Sequence, residues 1–107
     1  MNTAERRAVW FYRLRGYRVL ATNAWAAGNE VDLIARRGRR LVFCEVKSKT
    51  GPRYGDPLEM VTEEKQRRIR RAADAWLAAR PDLDELDVSF EIVADRGGSL
   101  ERVKEAF

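Results

Sequence analysis

Apolar residues recur at helical spacing near the start of the chain. In residues 4–15 they return about every third or fourth position, which predicts a helix with one buried stripe. Thr3 is the expected N-cap, and Gly16 suits the left-handed residue that follows a helix end. The expected stripe contains Ala8, Phe11 and Tyr12 and is widened by Trp10 and Leu14.

A second helical pattern covers residues 62–80. Thr62 is its expected N-cap, the acidic Glu63 and Glu64 suit its first turn, and Pro81 stops it. The expected buried stripe consists of Ile69, Ala72, Ala73, Trp76 and Leu77.

Segments rich in β-branched and aromatic residues predict strands at 17–23, 31–36, 40–46 and 86–94. The Gly97-Gly98 pair predicts a turn and a short return strand from Leu100, followed by an irregular end. Residues 23–28 and 48–59 are expected loops. Trp25 is expected to anchor the first of these loops in the core, with stacking on a nucleic-acid base as the alternative.

The strands at 31–36 and 40–46 are expected to form a hairpin. Between them, Arg37-Gly38-Arg39-Arg40 places Gly38 at the first central position of a type II′ turn. This closure sets Ile34 opposite Phe43, Leu33 opposite Cys44, and Asp32 opposite Glu45. Cys44 then lies in a strand that is apolar on both faces, where we expect it to be a core residue.

The charged residues of this hairpin share one face. Residues i and i+2 of a strand point to the same side, so Glu30 lies beside Asp32 and Glu45 lies beside Lys47. Directly opposed side chains are roughly 5 Å apart at Cβ, and two carboxylates at that distance repel each other. A divalent cation between them removes the repulsion, and hard oxygen ligands favour Mg²⁺ or Mn²⁺. Lys47 can then stabilise a developing anion or orient a water molecule.

Composition narrows the chemistry. At 107 residues the chain fits a single domain over 1–107. The lack of histidine and the single cysteine exclude Ser-His and Cys-His catalysis, HExxH metal sites and an internal disulfide. A net charge of +4 fits a polyanionic partner, and a solvated basic surface fits it equally. With no apolar run of roughly 20 residues and no signal-like N-terminus, we expect a cytoplasmic protein without membrane association.

The hairpin motifs lie within a longer pattern that resembles a known family. Asp32 followed by Glu45-Val46-Lys47 on the next strand is similar to the signature of the PD-(D/E)XK nucleases. With segments 16–20, 30–35 and 41–47 included, the chain resembles the YraN-type family, which is similar to archaeal Holliday-junction resolvases. The resemblance extends from Glu5 to Phe107.

This resemblance implies an α/β fold with a restriction-endonuclease-like core, in which two main helices flank a mixed central sheet of about five strands. It also implies a Mg²⁺- or Mn²⁺-dependent deoxyribonuclease that hydrolyses phosphodiester bonds. Asp32, Glu45 and the backbone carbonyl of Val46 would be metal ligands, and Lys47 the catalytic lysine. Glu5 falls where such families place a helix-borne catalytic acid, which would reach the metal through water. The alternative is a first-turn acid stabilised by the helix dipole.

Basic residues at three places are candidates for contacts to DNA phosphates. Since none of them reads base edges recognisably, we expect branched DNA or DNA ends to be recognised instead of sequence. The resemblance to resolvases implies a homodimer and a role in DNA repair or recombination. For the second helix, the alternative is a solvated face with pairs such as Glu64 with Arg68. The candidates are Arg37, Arg39 and Arg40 in the turn, Lys49 and Arg53 in the loop, and Lys65, Arg68 and Arg71 on the helix.

Two rival hypotheses remain. One is a non-catalytic nucleic-acid-binding module on a nuclease fold, which must explain why Asp32, Glu45 and Lys47 are all intact. The other is a purely structural ion pair between Glu45 and Lys47. It must explain why acidic residues of two adjacent strands converge.

Overall fold

The structure, a computed structural model, describes residues 1–49 and 61–107, with Lys49 described by its backbone alone. The elements in chain order are α1 (Thr3–Leu14), β1 (Arg18–Ala26), β2 (Asn29–Arg37), β3 (Arg40–Lys49), α2 (Glu63–Ala78), a 3₁₀ turn (Pro81–Leu83), β4 (Asp87–Arg96) and β5 (Ser99–Val103).

The described strands form one five-stranded sheet in the order β1-β2-β3-β4-β5. All neighbours are antiparallel except β3 and β4, which run parallel and are connected through α2. A parallel pair needs a crossover connection, which a helix usually supplies. The predicted mixed sheet flanked by two helices is therefore confirmed.

The two helices cover opposite faces of this sheet. Strand β3 alternates between them: Leu41 and Phe43 join the core under α2, whereas Val42 and Cys44 join the core under α1. Cys44 is buried, as predicted. Because both faces are covered, β3 is apolar from Leu41 to Cys44, and a charged residue further along it must find a partner inside the protein.

The caps of α1 differ from the prediction at one end. Asn2, and not Thr3, is the N-cap, and its side chain accepts a hydrogen bond from the Glu5 backbone N–H in a reciprocal capping box. Asparagine caps at least as well as threonine, and only from position 2 does Glu5 fall at the third helical residue. Gly16 (φ +84°) ends the helix as predicted, with Tyr17 N–H bonded to the Tyr12 carbonyl.

The buried stripe of α1 is narrower than predicted. Ala8 and Tyr12 are fully buried, but Trp10 is 59% exposed and Leu14 79% exposed. Trp10 lies two residues from Ala8 and from Tyr12, about 200° around the helix axis at 3.6 residues per turn. The predicted widening of the stripe by Trp10 and Leu14 was therefore wrong.

Two predicted loop boundaries were also wrong. The first strand continues to Ala26, so residues 23–26 belong to β1, and Trp25 is 69% exposed on this edge strand, so it does not anchor a loop in the core. Strand β3 continues to Lys49 because each of its residues pairs with β4. The remainder of the predicted loop, with Arg53 and Tyr54, lies outside the described residues.

The β2–β3 turn has the predicted geometry. Gly38 has φ +59°, and Arg37 pairs with Arg40. Ile34 pairs with Phe43, as predicted. In α2 the predicted cap Thr62 accepts a hydrogen bond from the Lys65 backbone N–H, but the helix ends at Ala78 and Pro81 begins the following 3₁₀ turn. The predicted return strand is β5.

Candidate active site

Asp32 and Glu45 lie at the end of the hairpin that is distant from the turn. The backbone pairing of β2 and β3 reaches Leu33 and Cys44, one residue short of the two carboxylates. Beyond that point a side chain joins the two strands, since Oδ2 of Asp32 accepts a hydrogen bond of 2.8 Å from the Val46 N–H. The predicted pairing of Asp32 directly opposite Glu45 is therefore not part of the described backbone ladder, and Asp32 contacts β3 at Val46 instead.

Glu5 of α1 reaches the same place. Its Oε1 accepts the capping hydrogen bond from the Asn2 N–H (2.8 Å), and its Oε2 accepts one from Asn23 Nδ2 (2.6 Å). Carboxylate oxygens of Glu5, Glu30 and Asp32 all lie within 4.8 Å of one another. Glu5 is thus both the helix-capping acid and a member of the acidic cluster, and its catalytic role stays a prediction.

Asn23 is a site residue that the sequence interpretation missed. Its side-chain amide donates to Glu5 (2.6 Å) and to Glu30 Oε1 (3.0 Å), so it bridges two of the acids. It also has φ +48°, which is rare for a residue within a strand. An asparagine among apolar strand residues was the available signal, since asparagine tolerates this backbone region better than most residues.

Glu45 is buried and faces two ammonium groups. The Nζ atoms of Lys47 and Lys65 each lie 3.7 Å from Glu45 Oε1. This is ion-pair distance but too long for a direct hydrogen bond. The second oxygen, Oε2, is buried and has no hydrogen-bond partner among residues 1–49 and 61–107. A buried carboxylate oxygen without a partner is costly, so this atom is available to a cation. Lys65, a candidate for contacts to DNA phosphates, thus lies beside Glu45, and its contact to DNA stays a prediction.

Burial and neighbouring carboxylates both affect the pKa values of this cluster. Burial first, and then the nearby Glu45 carboxylate, raise the pKa of Asp32 to about 7, against a lowering by the Val46 N–H. Burial also raises the pKa of Glu45, although the charges of Lys65 and Lys47 act in the opposite direction. Without further positive charge, these two carboxyl groups therefore hold their protons to a higher pH than isolated acids do.

This donor set fits a hard divalent cation. It offers carboxylate oxygens from Glu5, Glu30 and Asp32 at mutual distances suited to one ion. Glu45 is not one of these three acids, but it lies close enough to Asp32 for each carboxylate to affect the pKa of the other. Glu30 joins the ligand candidates here, although the sequence interpretation placed it only on the same strand face. The role of the Val46 carbonyl stays a prediction, since the described contact of Val46 is made by its N–H.

The candidate nucleic-acid-binding residues do not all gather at this site. Arg37, Arg39 and Arg40 lie at the other end of the hairpin, roughly 16 Å away at about 3.3 Å per residue. Of these, Arg40 is only 28% exposed and pairs with Glu91. Arg68 and Arg71 are exposed on α2, and Arg68 pairs with Glu64. Lys49, whose side chain is not described, and Arg53 cannot be placed among these groups.

A second buried carboxylate, Glu91 of β4, also escaped the sequence interpretation. It is 0% exposed, and its oxygens accept hydrogen bonds from Tyr12 Oη (2.6 Å), Arg102 Nε (2.8 Å) and Arg40 Nη2 (2.7 Å). Burial raises the pKa of Glu91, but these hydrogen bonds outweigh it and leave the pKa below its ordinary value. The available signal was an acid between Phe90 and Ile92 in an apolar strand.

The chain is similar to proteins of one bacterial family. The model of the uncharacterised protein family UPF0102 matches residues 4–94. A UPF0102 protein of Chlorobium phaeobacteroides (strain BS1) is 46% identical over 90 residues, which cover 84% of this chain and 71% of the relative. The UPF0102 protein YraN of Escherichia coli O1:K1 / APEC is 38% identical over 94 residues, covering 87% and 72%. Neither helix of the described ranges is long and apolar enough to cross a membrane.

Proposed function

Because the chain belongs to the uncharacterised protein family UPF0102, its function has to be inferred from the site, and we propose that it is a divalent-metal-dependent nuclease that hydrolyses phosphodiester bonds in DNA. The observation that carries this proposal is the excess of carboxylates at the open end of the hairpin. Glu5, Glu30, Asp32 and Glu45 come from three elements, and among the described residues the lysines that form ion pairs with this group are Lys47 and Lys65, both at Glu45. Such a cluster is stable in its charged form only with an added cation.

The residues divide the chemistry among them. Glu5, Glu30, Asp32 and Glu45 would hold Mg²⁺ or Mn²⁺, which supplies positive charge to the scissile phosphate and acidifies a bound water. Lys47 would hold the attacking water or stabilise negative charge that develops on the phosphorus oxygens. Lys65, at the start of α2, would orient Glu45 and attract the phosphate.

The proposed substrate is branched DNA or DNA ends, contacted mainly through phosphates. The chain carries a net charge of +4 even though its candidate site is acidic, so positive charge is concentrated elsewhere on the surface. We propose a homodimer as the active form on branched substrates, as the likeness to resolvases implies. Sedimentation of the protein with and without a four-way junction tests that part.

Cleavage of labelled branched, flap and linear DNA with Mg²⁺ or Mn²⁺ tests the enzyme. Asp32→Asn, Glu45→Gln and Lys47→Gln are expected to reduce the rate at least about 100-fold while DNA binding persists. Lys104→Gln is the matched control, since it removes an exposed lysine outside the site. A wild-type protein that binds DNA equally with and without metal and cleaves none of the substrates would refute the enzyme in favour of a binding module.

A further inference from the structure

A basic cleft lies on the α2 side of the sheet, at the end opposite to the acidic cluster. It has a volume of about 730 Å³ and is formed where the start of β1, the β2–β3 turn and the end of α2 meet. Its floor is apolar, with Leu20, Trp76 and Leu83. Its rim carries four arginines, Arg18, Arg36, Arg37 and Arg80.

The positive charge of this cleft is not neutralised within the protein. Among residues 1–49 and 61–107, none of the four arginines forms an ion pair. Three of them donate to backbone carbonyls instead: Arg36 to Gly38, Arg37 to Arg15 and Arg80 to Trp76. A carbonyl fixes the position of a guanidinium but leaves its charge available to an anion. Asp82 is the only acid that lines the cleft in the described part of the chain.

Two of these arginines are held by aromatic rings. The Arg80 guanidinium lies 4.0 Å from the centre of the Trp76 ring, and that of Arg37 lies 4.8 Å from the Tyr17 ring. Trp76 is only 6% exposed, and Tyr17 only 4%. The cleft therefore offers prearranged charge but no open aromatic face on which a base could stack. Its ligand is expected to bind through phosphate groups.

The position of the cleft relative to the acidic cluster defines which phosphates these are. Lys65 at one end of α2 contacts Glu45, and Arg80 lies just beyond the other end. Arg80 is fifteen positions after Lys65, or about 22 Å at 1.5 Å per residue. The nearer side of the cleft, at Arg37, is roughly 16 Å from the cluster at about 3.3 Å per residue of β2. These distances correspond to about five to six base pairs of duplex DNA at about 3.4 Å each.

We propose that this cleft is a second phosphate-binding subsite, which holds the backbone of a duplex arm about six base pairs from the phosphate that is cut. The inference depends on the proposed function for the location of the cut, but not for the binding itself. The subsite binds one duplex arm at a fixed distance from the acidic cluster, and such an arrangement recognises the shape of the DNA.

The test is binding of fluorescent duplex DNA without divalent metal, measured by anisotropy over a range of salt concentrations. The double variant Arg18→Gln/Arg36→Gln removes two cleft charges. Its Kd is expected to rise about tenfold, and the slope of log affinity against log salt to fall by about 2. Arg6→Gln/Arg13→Gln is the matched control, because it removes the same charge from the exposed side of α1. Arg18→Glu is a second variant, since Arg18 is exposed and makes no described contact that folding requires.

Duplex length provides an independent readout. With Mn²⁺ present and cleavage suppressed by Lys47→Gln, affinity is expected to rise steeply once the duplex exceeds about six base pairs, whereas the cleft double variant in the same background gains affinity only gradually. Two outcomes would overturn the subsite. One is an equal loss of DNA affinity in the two double variants. The other is a dependence of affinity on duplex length that is the same with and without the cleft arginines. If the variants differ from the wild type in binding as expected but the wild type cleaves no DNA with Mn²⁺, the phosphate-binding subsite is supported and the proposed nuclease activity is refuted.

Discussion

Glu45 and Glu91 are buried carboxylates on neighbouring strands that meet opposite electrostatic surroundings. Glu45, 4% exposed on the α2 side, has acids beside it, two lysines at 3.7 Å and one oxygen without a partner. Glu91, 0% exposed on the α1 side, has both oxygens bonded to Tyr12, Arg40 and Arg102. The pKa of Glu45 is raised, chiefly by burial, whereas the hydrogen bonds of Glu91 overcome burial and lower its pKa.

The comparison distinguishes a structural acid from a functional one. Glu91 joins α1, β3, β4 and β5 through its partners and is complete without any ligand. The Glu45 cluster is incomplete, because its carboxylates outnumber the cations that face them. Burial alone therefore does not identify a site; an unbalanced charge does.

The largest expected effect is on stability when Glu91 is replaced. Glu91→Ala leaves the guanidinium groups of Arg40 and Arg102 without their carboxylate, and Arg102 is only 11% exposed. We expect the free energy of unfolding to fall by about 3 kcal/mol in urea titrations. Glu45→Ala in metal-free buffer is the comparison, with an expected loss below about 1 kcal/mol. Equal losses in the two variants would remove the distinction between the acids.

The second effect is stabilisation by metal. Mn²⁺ at 100 times its Kd is expected to raise the free energy of unfolding of the wild type by about 2.7 kcal/mol, because the ion binds the folded state. Glu45→Gln and Asp32→Asn should lose most of this gain, whereas Glu91→Gln should keep it even though its baseline stability is lower. Thermal unfolding with and without Mn²⁺ measures all four proteins. If stabilisation by Mn²⁺ is lost in Glu91→Gln and kept in Asp32→Asn, the assignment of Glu91 as the structural acid and Asp32 as the metal ligand is reversed.

The sequence predicted the elements that local rules govern. The β2–β3 register followed from Gly38 and the alternation of apolar residues, and the α2 cap from Thr62. It predicted Asp32, Glu45 and Lys47 as neighbours because they lie on one hairpin. It could not show that Asn23 bridges Glu5 and Glu30, since that contact joins α1 to an irregular part of β1. Nor could it show the partners of Glu91, which are up to 79 positions away in the chain.

The third effect is pH dependence, with opposite signs for the two acids. The pKa of Asp32 is raised from 3.8 to about 7, so the folded state binds more protons than the unfolded state between these values. In metal-free buffer its contribution to stability is present below pH 3.8 and is lost as the pH rises towards 7. The lowered pKa of Glu91 contributes stability near neutrality that is lost as the pH falls through its folded value.

Asp32→Asn isolates the first of these contributions. Its stability relative to the wild type should increase by about 1–2 kcal/mol between pH 4.5 and 8, a figure reduced for the solvent that reaches this half-buried group. Urea titrations at several pH values, with EDTA present, measure the difference. A constant difference across this range would show that Asp32 is already ionised without metal.

The smallest effect tests whether the acidic cluster is held together by Asn23. Asn23→Gly removes the amide that bridges Glu5 and Glu30, and glycine keeps the positive φ of this position without strain. We expect Mn²⁺ affinity to fall about fivefold, or roughly 1 kcal/mol, because a residue that orients metal ligands contributes less than a ligand.

Calorimetric titration with Mn²⁺ gives the affinity. Asn29→Gly is the matched control, since the described side-chain hydrogen bond of Asn29 goes to the Ala27 carbonyl and not to an acid. If both variants bind Mn²⁺ as the wild type does, the two glutamates are held by their own strand and helix. The acidic cluster and the hydrogen-bonded Glu91 network then differ in their balance of charge alone.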